Sequence, residues 1–299
     1  MGTGGWAYFK VSNKPSLKAY SEVFNFVEVN YTFYKYPTAR LVEGWRKTVP
    51  KDFTFSVRCH QDLTHKIGLK PIDEAHQVLR QMVAYCVILD SPFLVLETPA
   101  SYVFDRSNIR AAKDFFGSVN LNGVRLVWEI RAPVTEQAIN LMSKFNIIRC
   151  VDISKAAPLE WSDVGYSRLF GKGKHNIYQF TDEELQVIDK NASESKAGVV
   201  ALSYHGSRMS IDAIRFEQYK KTGRFLPVTA YTGLDSARAV LSEDAIFPSS
   251  KRFLISDQGW KVIDLTAEKR VHLSDLLSNI PEKSYTSLNE VVDALEITL

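Results

Sequence analysis

Residues Phe26–Tyr34 read FVEVNYTFY, with apolar Phe26, Val27 and Val29 set against Glu28 and Asn30. In a strand, side chains repeat every two residues, so Glu28 and Asn30 would project to the same side. A carboxylate and an amide on an otherwise apolar strand are costly unless they are paired or used. The stretch is therefore expected to be a β-strand that forms the floor of a site.

Working outward, seven further strand-like runs appear: Gly2–Trp6, Thr54–Arg58, Phe93–Glu97, Arg125–Ile130, Ile148–Ile153, Tyr166–Phe170 and Val199–Tyr204. Between them lie segments with apolar residues at helical spacing, such as Ser16–Phe24, Asp73–Ile88, Ile109–Phe116, Thr135–Phe145 and Asp182–Lys190. Thr181 ahead of Asp182, Glu183 and Glu184 reads as a helix N-cap with an acidic first turn. Met209–Lys221 supplies a helix after the eighth run. Eight strand–helix alternations over some 220 residues predict an α/β chain of (β/α)8 TIM-barrel type, with a doubly wound open sheet as the competing arrangement.

Beyond about Arg224 the rhythm stops. Ile255–Ile263 reads as a hairpin turning at Asp257-Gln258-Gly259, and two helix patterns follow, Leu273–Asn279 and Leu288–Leu295. Ser287 with Glu290 forms a capping-box signature. The expected organisation is a barrel domain over 1–223 and a small α+β appendage, a hairpin plus two helices, over 224–299. Without 224–299 the barrel is expected to fold but to be less stable or prone to aggregate.

Composition narrows the class. Of 299 residues, 45% are hydrophobic and 24% charged, the net charge is +3, and no apolar run reaches the length of a membrane span. Cys59, Cys86 and Cys150 are widely spaced without a CxxC, so they read as buried free thiols. A cytoplasmic location without membrane attachment is the expectation.

The motifs GTGGWAY (Gly2–Tyr8), FVEVNYTFYKYP (Phe26–Pro37), Trp45, Val49-Pro50 and FTFSVR (Phe53–Arg58) resemble the YecE-like family, domain of unknown function 72. Leu63-Thr64-His65, Trp128–Arg131, Tyr166 with Arg168 and Gly171, and YQFTDEEL (Tyr178–Leu185) extend the resemblance over about residues 1–220. It implies a TIM barrel, in agreement with the strand count. The chain departs from the family pattern in several places: Glu97 stands where a Gln is usual after the fourth strand, and Ala132-Pro133-Val134 replaces a His and Trp after the fifth. Phe170 replaces a His before Gly171, and Ser203–Gly206 replaces an FNN pattern. A divergent branch with a C-terminal extension is implied.

In TIM barrels the site lies at the C-terminal ends of the strands. Those ends carry Trp6 and Tyr8; Glu28 and Asn30; Arg58 and His60; Glu97; Glu129 and Arg131; Asp152; Arg168; and Tyr204 with His205. Each has a plainer alternative. Glu28 could pair with Arg58 or Arg168, Glu129 with an arginine across the barrel, Asp152 could cap the next segment, and His60 and His205 could be neutral loop residues.

As a set, carboxylates facing arginines predict an anionic substrate, since guanidinium groups hold phosphate or carboxylate bidentately while carboxylates move protons or hold a metal. Glu28, Asn30, Glu129 and Asp152 are the expected catalytic group. Arg58, Arg131, Arg168 and Lys172, in the Gly171–Lys174 loop after the seventh strand, are the expected phosphate holders. Trp6, Tyr8, Tyr34 and Tyr204 are candidates to stack on a base, and His60, Glu97 and His205 complete the expected substrate contacts. A divalent metal on Glu28, Glu129 and Asp152 is an open option, although no metal-binding spacing, Walker loop or dinucleotide motif is present. The leading expectation is a hydrolase for a phosphorylated, nucleotide or nucleic-acid substrate. A glycosidase using Glu97 as acid and a non-catalytic anion- or nucleic-acid-binding module are the alternatives.

Overall fold

The computed structural model describes residues 1–156, 161 and 163–298. Eight strands close into a barrel in sequence order: β1 (Gly2–Thr3), β2 (Phe26–Val29), β3 (Thr54–Arg58), β4 (Phe93–Thr98), β5 (Arg125–Ile130), β6 (Ile148–Val151), β7 (Val164–Leu169) and β8 (Val199–Tyr204). Short β1 pairs in parallel with both β2 and β8 and so seals the cylinder. The (β/α)8 expectation holds, and the open sheet is excluded. Tyr20 helps fix this seam, accepting from the Thr3 amide at 2.8 Å and donating to the Phe26 carbonyl at 2.9 Å. Only glycine fits at position 2, where a Cβ would lie 1.8 Å from the Phe26 carbonyl oxygen.

Two sequence expectations change here. The second strand stops at Val29: Asn30 turns helical (φ −78°, ψ −21°) and Tyr31–Tyr34 forms one helical turn. Thr32 drives the change by donating its hydroxyl to the Val29 and Arg58 carbonyls, at 2.9 and 2.7 Å. Asn30 therefore does not share a strand face with Glu28. In the C-terminal segment, the hairpin expected at Ile255–Ile263 is instead a helix, Lys251–Gln258, capped by the Ser250 hydroxyl on the Phe253 amide. The Asp-Gln-Gly signal marks a helix end, because the Gly259 amide bonds back to Ile255 at 3.0 Å. The hairpin lies further on and pairs Val262–Asp264 with Arg270–His272.

The chain forms two compact units. The first takes in Met1–Ile153, most of the stretch to Arg168, and Ala192–Tyr204. Its interior is built in layers. Phe26, Phe93, Val95, Val127, Ile148, Cys150, Tyr166 and Ala201 form an apolar cluster. Two residues further along β2, β4, β5 and β7, on the same faces, stand Glu28, Glu97, Glu129 and Arg168. An ionic layer thus sits on an apolar one, toward the C-terminal ends of the strands. All three cysteines are free and buried.

The second unit takes in Leu169–Asn191 and the chain from His205 onward. It includes all but the last two residues of helix Asp182–Ser193, and helix Met209–Thr222, the latter matching the expected last barrel helix within a residue. Thr181 and Glu184 exchange backbone bonds as a capping box. Helices Gly233–Leu241, Leu273–Leu277 and Leu288–Thr298 contribute to one apolar core that includes Leu241, Ile263, Leu277, Tyr285 and Leu295. A buried chain of charges runs through this unit: Arg215 to Asp182 at 2.5 Å, Asp182 to Arg270 at 2.8 Å, and Arg270 to Asp264 at 2.8 Å. Among the described residues, no helix is long and apolar enough to cross a membrane.

Arg270→Met should test that chain. Buried Asp264 would lose the guanidinium it faces, and an uncompensated buried charge typically costs about 3–5 kcal/mol. Chemical denaturation is expected to register a loss of that size; an unchanged midpoint would refute it.

Candidate functional site

One guanidinium organises the ionic layer. Arg168, only 1% exposed, reaches Glu28 Oε1 through Nη2 at 3.1 Å and Glu97 Oε2 through Nη1 at 2.6 Å, and Nη1 also contacts Glu129 Oε2. Glu97 and Glu129 lie side by side in register on β4 and β5, so their like charges need a cation between them. Burial opposes the charge on Arg168, but Glu129, Glu28 and Glu97 outweigh it and raise its pKa well above the ordinary value. Glu28, completely buried, also accepts from Tyr166 at 2.9 Å, and Tyr166 shares a 2.7 Å bond with Ser56.

Glu97 Oε2 collects two further cations, Arg58 at 2.6 Å and Arg131 at 3.2 Å. Arg58 lies flat over Phe33, 3.7 Å from the ring centroid, and donates to Asn30 Oδ1 at 3.2 Å. Asn30 Nδ2 donates to the Gly4 carbonyl at 2.7 Å, so both ends of that amide are fixed. Arg131 Nε donates to Glu129 Oε1 at 3.1 Å. Burial raises the pKa of Glu129, yet Arg168 and Arg131 overcome it and hold this carboxyl below its usual range.

His65 stands beside this network on a π-helical turn, Asp62–Ile67, closed by the Gly68 amide on Leu63 at 3.1 Å. Such turns are frequent at functional sites. Its Nδ1 meets the Thr64 hydroxyl at 2.9 Å, and its Nε2 lies 4.0 Å from Glu97 Oε1. Burial lowers its pKa, with Arg58 and Arg131 adding to burial against Glu97, so the imidazole is neutral near pH 7.

Depth sorts the residues singled out by sequence. Glu28 and Arg168 are sealed below, so neither a catalytic Glu28 nor a phosphate-holding Arg168 is supported. Arg58, 8% exposed and packed over the Phe33 ring, is likewise committed internally. Glu97 is a hub of the network, and with Oε2 taken by three guanidinium groups it offers that oxygen to no glycosidic leaving group. Arg131 and Glu129 reach solvent, with side chains 43% and 13% exposed. Asp152 stands half-buried just past β6.

His60 is buried under Tyr36, with ring centroids 3.8 Å apart, and faces Asp62, as a structural loop histidine would. Tyr204 is fully buried, which removes it as a stacking surface. In the second unit, Lys172 is held by Glu184 at 2.9 Å, so its ammonium is already partnered, and His205 packs on Phe170 at 5.0 Å. Trp6, Tyr8 and Tyr34 line a 540 Å³ cleft together with Tyr31 and Trp45.

The metal set left open by the sequence, Glu28, Glu129 and Asp152, is not assembled as a site. Among the described residues, no group of three or more His, Cys, Asp and Glu side chains is arranged to hold a metal ion. Between Glu28 and Glu129 the positive charge is supplied by Arg168 instead. Sequence reading missed His65 and Trp45 as site residues. Both sit in the motifs that carried the family resemblance, and that was the only signal for them.

The family described as "Protein of unknown function DUF72" matches residues 1–214. UPF0759 protein YunF of Bacillus subtilis (strain 168) is 36% identical over 70 residues, 23% of this chain and 25% of that protein, so the match spans about a quarter of the relative's length. A DUF72 family protein from Thermotoga maritima superposes with a TM-score of 0.59 at 22% identity, covering 74% of this chain and 96% of that one. One from Enterococcus faecalis V583 gives 0.59 at 12% identity, covering 74% and 93%. These structural likenesses establish the shared fold.

The ionic layer predicts a ranking of stabilities. Arg168→Met removes the cation shared by Glu28, Glu97 and Glu129, only the latter two keeping Arg131, and should cost about 3–5 kcal/mol or prevent folding. Glu28→Gln keeps its shape but weakens one of several Arg168 contacts, for about 1–3 kcal/mol. Arg131→Ala at the rim should cost about 1 kcal/mol or less. Urea denaturation reads all three, and a Glu28→Gln protein as stable as the parent would break the ranking.

Proposed function

The chain belongs to the DUF72 family, described as of unknown function, and from its own barrel mouth we propose that it is a hydrolase acting on a phosphate-bearing substrate, nucleotides included. The observation that carries this reading is the division of the ionic layer by depth. Arg168, Glu28 and Glu97 form a rigid floor, while Arg131, Glu129 and His65 are the members that meet water, with side-chain exposures of 43%, 13% and 28%. A substrate therefore encounters one cation, one anion and one neutral base.

Their chemistry suits phosphoryl hydrolysis. Arg131 presents the forked donors that match two phosphate oxygens. Glu129, kept ionised by its arginine neighbours, accepts a hydrogen bond from substrate or water and is too weak a base to take the proton itself. His65 is the better base: its Nε2 takes a proton as water attacks phosphorus, and returns it to the oxygen that leaves. Thr64 at Nδ1 steadies the ring.

A binding module without turnover is the second reading. It is favoured by Arg131, whose forked donors stand 43% exposed at the rim and can hold an anion whether or not a base acts on it.

Release of nitrophenolate from 4-nitrophenyl and bis(4-nitrophenyl) phosphate tests the proposal. Only the neutral imidazole can accept a proton, so activity should fall with acid through a His65 pKa below 6.5 and stay level above it. His65→Gln should lower kcat by about 10²–10⁴ and erase that acid limb. Arg131→Ala should raise KM. Turnover insensitive to His65→Gln would overturn the mechanism, and a rise in midpoint with inorganic phosphate but no turnover would favour the binding reading.

A further inference from the structure

The proposed phosphate chemistry makes no use of the 540 Å³ cleft formed by Trp6, Tyr8, Tyr31, Tyr34, Leu41 and Trp45. Its rings are unusually open: Tyr8 is 86% exposed, Tyr34 62% and Tyr31 43%. They are also braced. Trp45 meets Trp6 edge-on at 5.4 Å and Tyr31 at 5.8 Å, and Tyr34 meets Phe33 at 4.9 Å. Gly5, at φ +104°, carries the chain along the cleft, and a Cβ built there would meet nothing within 4 Å. The Asn30 amide in the lining already serves the Gly4 carbonyl and Arg58. The cleft thus offers ring faces and few free hydrogen bonds, which suits a flat partner bound by stacking rather than by reading its edges.

Charge points to what that partner carries. Residues 1–51 hold eight Lys and Arg against three Glu and no Asp, a net of +5, whereas the whole chain is +3, which leaves −2 for the remaining residues. The three glutamates are taken: Glu22 by Lys14 at 2.6 Å, Glu43 by Lys47 at 3.6 Å, and Glu28 by buried Arg168. Lys10, Lys35 and Arg40 are exposed beside the cleft residues in sequence, and the Lys35 ammonium lies 6.0 Å from the Tyr31 ring. Exposed aromatic faces interleaved with basic side chains are the combination that binds single strands: bases stack and the backbone phosphates are neutralised.

We propose that this cleft binds single-stranded nucleic acid, with one or more bases stacked against Tyr8, Tyr34 and the Trp6–Trp45 wall while Lys10, Lys35 and Arg40 hold neighbouring phosphates. Duplex bases are stacked on one another and cannot enter. Binding here requires no hydrolysis at the barrel mouth.

Fluorescence anisotropy of a labelled twelve-residue oligothymidylate tests this, with an abasic strand and a duplex of equal length as controls. The single strand should bind most tightly, and raising salt from 50 to 200 mM should weaken it about tenfold, as expected for two or three phosphate contacts. Tyr8→Ala and Tyr34→Ala, at exposed positions that leave the fold intact, should each weaken binding about five- to hundredfold while the abasic strand is unaffected. Lys35→Glu should weaken it and flatten the salt dependence. Arg131→Ala should still bind the strand, so the cleft and the mouth succeed or fail separately.

The proposal is overturned if no strand binds at 50 mM salt, or if abasic or duplex DNA binds as well as the oligothymidylate. It is equally overturned if affinity survives both tyrosine changes but is lost in Arg131→Ala, which would place the strand at the mouth.

Discussion

A guanidinium buried among three carboxylates is an arrangement that the rest of the barrel must be built to tolerate. Removing Arg168, Glu28, Glu97 and Glu129 from water carries a desolvation cost of several kcal/mol per ion, and mutual attraction offsets it only with good geometry and satisfied lone pairs. The barrel supplies that geometry. Side chains two residues beyond the apolar cluster converge on the axis from β2, β4, β5 and β7, and the closed cylinder fixes the distances between them. Arg168 and its partners specify one arrangement of these strands, since a one-residue slip would turn any of the four charges into the helical layer.

The same constraint determines what is available for chemistry. With three carboxylates and three arginines in contact, most of the charge is spent internally, and the groups that meet solvent are those at the rim. Arg131 can exchange its partners for a ligand without exposing a buried charge, which Arg168 cannot do. His65 is supplied from outside the strand set, by a π-helical turn whose extra residue re-aims the imidazole toward Glu97. A rigid floor beneath solvated groups is a familiar division of labour in catalytic sites, where a fixed shell holds the reacting groups in place.

Much of this could be read in the sequence, and the limits have physical reasons. Strand periodicity located all eight barrel strands, and the coincidence of polar residues at their C-terminal ends located the ionic layer. Which carboxylate pairs with which arginine was not legible, because those partners are tens of residues apart and meet only when the cylinder closes. Glu28 and Arg168 looked reactive for the same reason that they are structural: an ion on an apolar strand needs a partner. Asn30 was misplaced by a residue-level event, the Thr32 hydroxyl bonds that end β2 early. The Asp-Gln-Gly signal near 257–259 fits either a hairpin turn or a helix end, and local sequence does not separate the two.

In the C-terminal segment, energetic connections cross a boundary that the sequence pattern draws. Its apolar spacing announced helices, yet nothing in the pattern indicated that Arg270 and Asp264 would complete a charge chain beginning at Arg215 and Asp182. Val262 and His272 also bond to Gln179, through its side chain at 3.0 Å and its carbonyl at 2.8 Å. These contacts tie the segment to residues that follow β7 and β8, so within the second unit the chain beyond Arg224 shares buried polar groups with the helices before it. A boundary drawn where the strand–helix rhythm stops follows the repeat, whereas the buried ion pairs run through it. Asp182 illustrates the difference: it opens a helix of the repeating pattern, but one of its two cations is contributed from 88 residues later.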